Sequence, residues 1–410
     1  MISGTSLSVR ISEHGKIFEG GGPSLFTNDQ YYEFIMAILL SKLGSYFVSI
    51  LNPTLNININ DIGHIPFLYN KEIDNKIKKL VNNCVKIAKV DWDNYENSWD
   101  FKRHPLINYS NDKDNKLKNI FNIWEKKCQE SFIELKQNEE QINKELINAY
   151  GLTNKLTAEI DDKFITVKLS DKEREIKSLI SYAVGCMFGR YSLDEEGLVY
   201  AGGDFDIDRY KTFKADNDNI IPITDEAYFS DDIVERFKTF IKMVYGDNTF
   251  NENMDYIAEE LGKKGTETSE ETIRRYFVND FFNDHVKMYQ KRPIYWLLDS
   301  GKKNGFKALI YMHRYNENLI PKARLDYLHR VQTTYEKLLS DVNYKLTTDL
   351  SMTDKKEAKN RQTNLMAKLQ EIKEYDEKIA HIANQRISID LDDGVKVNYE
   401  KFKDILAKIK

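Results

Sequence analysis

Apolar residues in this chain recur mostly at three- and four-residue intervals, the period of helices packed on one side, and strict alternation is confined to short stretches. Asn28 or Asp29 can cap a helix expected to run to about residue 51, with Phe34, Ile38, Leu39 and Phe47 on its buried side. A second is expected over about 71–88, striped by Ile73, Ile77, Leu80, Val81 and Cys84, and a long one over 114–149, with Leu117, Ile120, Phe121, Trp124 and Cys128 on one side. Asp171 caps a further helix carrying Ile176, Leu179, Ile180, Ala183, Val184 and Met187. Residues 229–289 read as several helices broken at Gly246 and between Gly262 and Gly265. Beyond residue 319, Leu325, Leu328, Val331, Tyr335, Leu338 and Val342 form one stripe, and Leu365, Leu369, Ile372, Ile379 and Ile382 another. Two such stripes joined near 346–354 predict an antiparallel, coiled-coil-like helical hairpin. A short strand and a final helix over 399–409 are expected to close the chain.

Strand signals are fewer. Residues 6–11, 55–59 and 163–169 each read as a short strand. The segment from Lys291 to Tyr315, KRPIYWLLDSGKKNGFKALIYMHRY, is the most informative. Its two apolar, aromatic-rich runs at 294–298 and 306–312 flank a turn-forming stretch at 300–305, which predicts a β-hairpin with a longer, bulged loop. The fold class that follows is α+β and predominantly helical. A small mixed α/β domain is expected over 1–90, a mainly helical domain over 91–290, and the β-hairpin with the helical hairpin over 291–410.

The chain has 410 residues, 41% hydrophobic and 30% charged, a soluble globular composition. No apolar run reaches the length of a membrane span, and no secretory signal is visible. The three cysteines, Cys84, Cys128 and Cys186, lie far apart, which favours a reducing, cytoplasmic setting with free thiols. A net charge of −5 argues against a protein that coats nucleic acid indiscriminately. Basicity is uneven, however: between Gly301 and Lys345 nine Lys or Arg face four acids. The loop of the expected hairpin carries Lys302, Lys303 and Asn304, with Lys307 and Arg314 following, and Lys322, Arg324 and Arg330 begin the next helix. Such a set suits phosphates and base edges; a solvated helix face accounts for the same cations.

Catalytic motifs are incomplete. Phe18 to Gly22 fits F-x-G-x-G, a glycine turn that can approach a cofactor, but Pro23 follows at once and a plain turn is the better reading. Asn52-Pro53-Thr54-Leu55 begins like N-P-P-Y, yet Thr54 replaces the second proline and Leu55 offers no aromatic face. Asp204, Asp206 and Asp208 open like a calcium loop, but Arg209 and Ala215 stand where glycine and glutamate are needed. Asp161, Asp162 and Lys163 lack the strand context of a nuclease acid–lysine set, and the histidines show no close pair at metal spacing. The chain is expected to carry no catalytic, cofactor or metal site.

Several segments resemble the large adenine-specific DNA methyltransferases of the BREX phage-exclusion systems, the PglX family. They are the hairpin segment above, LISYAVGCMFGRYSLDEEGLVYAGG from Leu179 to Gly203, and DLDDGVKVNYEKF from Asp390 to Phe402. GGPSLF through LNPTLNININDIGHIPF looks like the distal part of that family's target-recognition domain, in a layout similar to type I restriction specificity subunits. In this family the cofactor-binding glycines and N-P-P-Y precede that domain, so both would lie before Met1. The resemblance implies the C-terminal, non-catalytic half of an N6-adenine methyltransferase, with S-adenosylmethionine used by the complete enzyme. On this reading the chain contacts double-stranded DNA. Lys302, Lys303, Lys307, Arg314, Lys322 and Arg324 would meet phosphate, and Asn304, Asn56 and Asn58 are candidate base readers. The alternatives are a scaffold whose helical hairpin docks the catalytic half or other BREX subunits, and a free-standing methyltransferase using Gly20 to Gly22.

Overall fold

Ser41 interrupts the first apolar stretch. It adopts an extended backbone, and its hydroxyl accepts from the Gly44 amide at 3.4 Å, so a new helix starts there. Where one helix was expected, the computed structural model has two, α1 (Tyr32–Leu40) and α2 (Lys42–Leu51), bent by 68° at the break. Gly44 permits the bend, because a side chain there would put a Cβ 2.3 Å from the Ile38 carbonyl oxygen. The structure describes residues 7–12, 15, 24–52, 54, 57, 59–110 and 115–409.

The chain forms two units. The first comprises residues 1–92 and 125–170. After α1 and α2 come a short helix, α3 (Ile59–Gly63), and α4 (Lys71–Asp93), longer than its stripe predicted. A small helix, α5 (Pro105–Asn108), and the start of α6 (Leu117–Ala149) belong to the second unit, and α6 continues into the first. Phe34, Ala37, Ile38 and Leu43 pack with Ile77 and Val81 of α4 and Ile142 and Leu146 of α6 to form the core of the first unit. Two of the three strands expected there do not form among the described residues: residues 7–12 are irregular, and 163–169 holds the end of a 3₁₀ turn followed by coil. The third, at 55–59, lies largely outside the described residues, and Ile59 opens α3. Ile165 and Val167 still bury their side chains against Phe132 and Leu135, so their alternation records packing without a ladder.

The second unit, residues 93–124 and 171–410, centres on α7 (Lys172–Phe188). Asp171 caps it through the Arg174 amide at 2.8 Å, and Gly189, with φ of 79°, ends it in the left-handed region. Of residues 175–188 only Lys177 escapes burial, as befits a helix surrounded on all sides. Around it stand α8 (Ile233–Tyr245), α9 (Phe250–Glu260), α10 (Ser269–Asn279), opened by a Thr268–Glu271 capping box, and α11 (Phe281–Met288).

The expected hairpin is present. Strands β2 (Tyr295–Asp299) and β3 (Lys307–Tyr311) pair antiparallel, Tyr295 opposite Tyr311 and Asp299 opposite Lys307. The short strand β1 (Ile221–Pro222) lies on the other side of β3, giving the order β1-β3-β2. Upstream of β1, the Asn219 amide stands in for a strand residue, accepting from Tyr311 N at 3.1 Å and donating to Tyr311 O at 2.9 Å. The free edge of β2 is covered by the C-terminus: Ala407 N reaches Leu297 O at 2.8 Å and Asp299 N reaches Ile405 O at 3.2 Å.

Beyond β3 a continuous helix runs through α12 (Leu319–Lys322), a π-helical stretch at Ala323–Leu328 and α13 (His329–Leu346). It packs along α14 (Met352–Gln385), burying Val331, Tyr335 and Val342 with Leu365, Ile372, Tyr375 and Ile379. The helical hairpin predicted from the two stripes is therefore closed on itself. The final helix is α15 (Gly394–Glu400), shorter and earlier than expected, since Ile405 to Ala407 are given to the edge of β2. The architecture is predominantly helical α+β.

Candidate nucleic-acid interface

The hairpin loop is fixed to α14 by one carboxylate. Glu371 accepts from the Lys303 amide at 2.7 Å, the Gly305 amide at 3.0 Å and the Ser300 hydroxyl at 2.8 Å. Ser300 in turn accepts from the Phe306 amide at 2.8 Å, closing the loop on itself. The Lys303 and Gly305 N–H groups, turned to one side in this way, form an anion-binding concavity, here filled from within the chain. Asn304 takes a left-handed conformation, φ of 53°, and Gly301 has φ of 139°. A Cβ on Gly301 would lie 2.8 Å from Glu371 Oε2, and one on Gly305 would lie 3.0 Å from the Lys368 carbonyl, so both glycines allow the loop to sit directly on the helix.

With its amides turned inward, the loop leaves Lys302 and Lys303 exposed, and no acid pairs with either among the described residues. Asn304 is half-buried between them and Gly305. The other cations proposed from sequence have internal partners. Lys307 is buried, and its ammonium donates to the Val278 carbonyl at 2.8 Å; burial lowers its pKa, against the pull of Asp299 and Glu371. Arg314 lies 3.7 Å over the Phe205 ring and donates to the carbonyls of Phe188 and Asn217. Lys322 pairs with Asp218 at 3.1 Å, and Arg324 with Asp376. Arg330 lies over the Phe229 ring at 5.0 Å. Structure thus brings Lys302, Lys303 and Asn304 onto one loop and brings Arg314 and Lys322 onto the 217–218 segment. Asn56 and Asn58 fall outside the described residues.

The remaining motifs resolve into local structure. Asn52 donates to Asp61 at 2.6 Å and accepts from the Thr54 amide at 2.9 Å, which makes it the pivot of a turn. Asp206 caps a 3₁₀ turn through the Asp208 amide, and Asp161 pairs with Lys163 at 2.9 Å. No group of three or more His, Cys, Asp or Glu among the described residues could hold a metal ion. Gly20 to Gly22 lie outside the described residues.

Two features escaped the sequence reading. One is Glu371, whose partners lie 66 to 71 residues away. The other is a buried polar cluster beside α7. There Glu96 accepts from the Tyr289 hydroxyl at 3.2 Å, and Arg190 donates to the hydroxyls of Tyr191 and Tyr311 at 3.1 and 3.2 Å. Burial pushes the Glu96 carboxyl up to about 7, with Arg190 pulling it back.

Comparison with known proteins adds relatives. No protein-family model matches the chain. It is 40% identical over 406 residues, 98% of its length, to adenine-specific methyltransferase PglX of Lacticaseibacillus casei (strain Zhang), of which it covers 34%. It is 39% identical over its full length to adenine-specific methyltransferase BrxX of Escherichia coli O9:H4 (strain HS), of which it covers 36%. The chain is a homologue of a segment of the PglX proteins. It spans about a third of the length of these curated relatives, and its likeness to that segment extends from one end of the chain to the other.

Proposed function

We propose that this chain is the DNA target-recognition and clamping portion of a BREX-type N6-adenine-specific DNA methyltransferase in phage defence, with methyl transfer from S-adenosylmethionine carried out by other segments. The observation that carries this reading is the likeness, along the whole chain, to two adenine-specific methyltransferases. On this reading Lys302 and Lys303 meet the phosphate backbone from a loop tied to α14, and Asn304 is the amide nearest a base edge. Lys307, Arg314, Lys322 and Arg324 serve chiefly to hold the elements beneath them. The partners are double-stranded DNA and the catalytic portion of the enzyme. The scaffold alternative drew on the apolar seam of the helical hairpin, and that seam is occupied by the packing of α13 on α14.

The test is titration of a short mixed-sequence DNA duplex over a range of salt concentrations, comparing wild type with Lys302→Ala/Lys303→Ala. Wild type binds at low salt, and the double variant loses up to about 1.8 from the slope of log K against log salt. An unchanged slope, or no binding by the wild type at low salt, counts against the reading.

A further inference from the structure

We infer that Glu371 is a positioning residue for DNA binding: it holds the hairpin loop so that the Lys302 and Lys303 ammonium groups are presented to the phosphate backbone. This rests on the proposed DNA-binding role of the loop.

Three donors from a single turn, the Lys303 amide, the Gly305 amide and the Ser300 hydroxyl, converge on one carboxylate at 2.7 to 3.0 Å. A backbone nest of this kind could alternatively bind a DNA phosphate directly, with Glu371 as a displaceable stand-in. The packing decides against that role. The loop backbone is so close to α14 that a Cβ on Gly305 would meet the Lys368 carbonyl at 3.0 Å and the Ile372 Cγ1 at 3.1 Å. Glu371 already occupies the concavity, and a phosphate could enter it only by parting the loop from the helix. Glu371 consumes the inward-facing donors, and the lysine side chains of the same turn are left exposed on it.

The loop's other ties are local ones, Gly301 N to Asp299 Oδ1 at 3.1 Å and Phe306 N to Ser300 Oγ at 2.8 Å among them. The loop contains Gly301, with φ of 139°, and Asn304, with φ of 53°, both in the left-handed half of the map. Its own backbone supplies the Asn304 N to Gly301 O bond at 3.2 Å and the Ser300 N to Phe306 O bond at 3.0 Å. Removing Glu371 strands two amides and a hydroxyl, and these regain partners only if the turn rearranges toward water. The two lysines would then sample many positions, and ordering them on DNA would cost conformational entropy. The negative charge of Glu371 acts oppositely, since it opposes phosphate. Glu371→Ala therefore removes both positioning and repulsion, whereas Glu371→Gln removes the charge and keeps one acceptor oxygen for Ser300 and Gly305.

The experiment is a double-mutant cycle in the full 410-residue chain, with the same DNA duplex titrated over salt and urea unfolding measured in parallel. Glu371→Ala is expected to weaken duplex binding at low salt about tenfold and to reduce the salt slope. In the Lys302→Ala/Lys303→Ala background it should cause no loss, and at most the small gain expected from removing a negative charge, and Glu371→Gln should retain most of the wild-type affinity. If Glu371→Ala leaves affinity unchanged while the lysine variant loses it, the inference fails and the DNA-binding reading stands. An equal loss in both backgrounds also overturns the inference, because the effect then does not pass through the lysines. If neither the lysines nor Glu371 affects binding, both fall. Should Glu371→Ala not fold, Ser300→Ala carries the same cycle, with a partial loss of affinity expected in the wild-type background alone. Unchanged binding by Ser300→Ala, with the lysine variant impaired, would refute the positioning role.

Discussion

Arg324 holds Asp376 through two guanidinium nitrogens, Nε at 2.7 Å and Nη2 at 2.9 Å, and so ties the π-helical stretch to α14. His329 reaches the same Asp376 oxygen at 2.9 Å. The Arg324 bonds hold the Asp376 carboxyl below the ordinary carboxylate range; partial burial opposes this and His329 adds to it. A carboxyl whose pKa is depressed in the fold contributes stability above its unfolded value of about 3.9, and that contribution is lost as pH falls through the lower folded value. Arg324→Ala should therefore cost about 1 kcal/mol at neutral pH, the size expected of a two-point, partly shielded ion pair. The deficit should shrink toward the acid limit of folding. Urea midpoints for wild type and variant at pH 7 and at the lowest pH where both remain folded measure this; a pH-independent deficit would mean that lost packing, not charge, sets the cost.

Glu96 predicts the opposite pH trend. Its folded pKa is raised, to about 7, chiefly by burial. Below the unfolded value of about 4.3 the carboxyl is protonated in both states and adds no charge penalty. Between there and 7 the unfolded state releases a proton that the fold retains, so stability declines with rising pH and levels off above 7. Glu96→Gln keeps an acceptor for the Tyr289 hydroxyl and removes the penalty. The variant should be more stable than wild type by about 2–3 kcal/mol at pH 8 and by about 1 kcal/mol or less at pH 5. Asp216, also raised by burial, to about 6, titrates in both proteins and cancels in the comparison. Thermal unfolding at the two pH values reads the difference.

What could be read from the sequence follows from where the determining forces lie. The helix α7 was legible because its cap and apolar surround are both local: Asp171 and the apolar positions from Ile176 to Met187. The hairpin was legible because both its strands are buried, apolar runs and the loop between them carries turn-forming residues from Ser300 to Gly305. Break and edge effects were not. Ser41 ends a helix partly because Gly44 lets the Ile38 carbonyl approach, a contact no period reports. The apolar run at 405–407 reads as helix until the open edge of β2 claims its backbone groups. The candidate interface was legible only as a charge count. That count treats Lys302 and Lys307 alike, whereas one is exposed and the other donates to the Val278 carbonyl. Glu371, in a helix dense with charged residues, looks solvated until the loop donors are placed on it.

Gly185 offers a packing test. It sits inside α7, where alanine would ordinarily gain roughly 1 kcal/mol of helix propensity. A Cβ there would lie 2.4 Å from Cδ2 of Tyr191 and 3.1 Å from the Tyr295 hydroxyl, among buried rings with little freedom to move. The clash should outweigh propensity, and Gly185→Ala should lose about 1–3 kcal/mol. Gly63, at the end of α3, is the contrasting case: a Cβ added there would meet nothing within 4 Å, so Gly63→Ala should be neutral or slightly stabilising. Chemical denaturation of the two variants gives both signs in one experiment.

Arg314 separates charge that holds the fold from charge offered to DNA. Its guanidinium lies 3.7 Å over the Phe205 ring and donates to the Phe188 and Asn217 carbonyls. Replacing it strands two carbonyl oxygens and removes the cation–π contact, so Arg314→Ala should lose about 1–3 kcal/mol of stability. A guanidinium bound on one face by a ring and at its edge by two carbonyls has little freedom to follow a phosphate. Once the fraction folded is accounted for, the salt slope of duplex binding should match wild type, unlike that of Lys302→Ala/Lys303→Ala. Arg314→Lys restores the charge without the planar fork, and should recover little of the lost stability. A reduced salt slope in Arg314→Ala, with unfolding unchanged, would instead place this arginine on the DNA-facing surface.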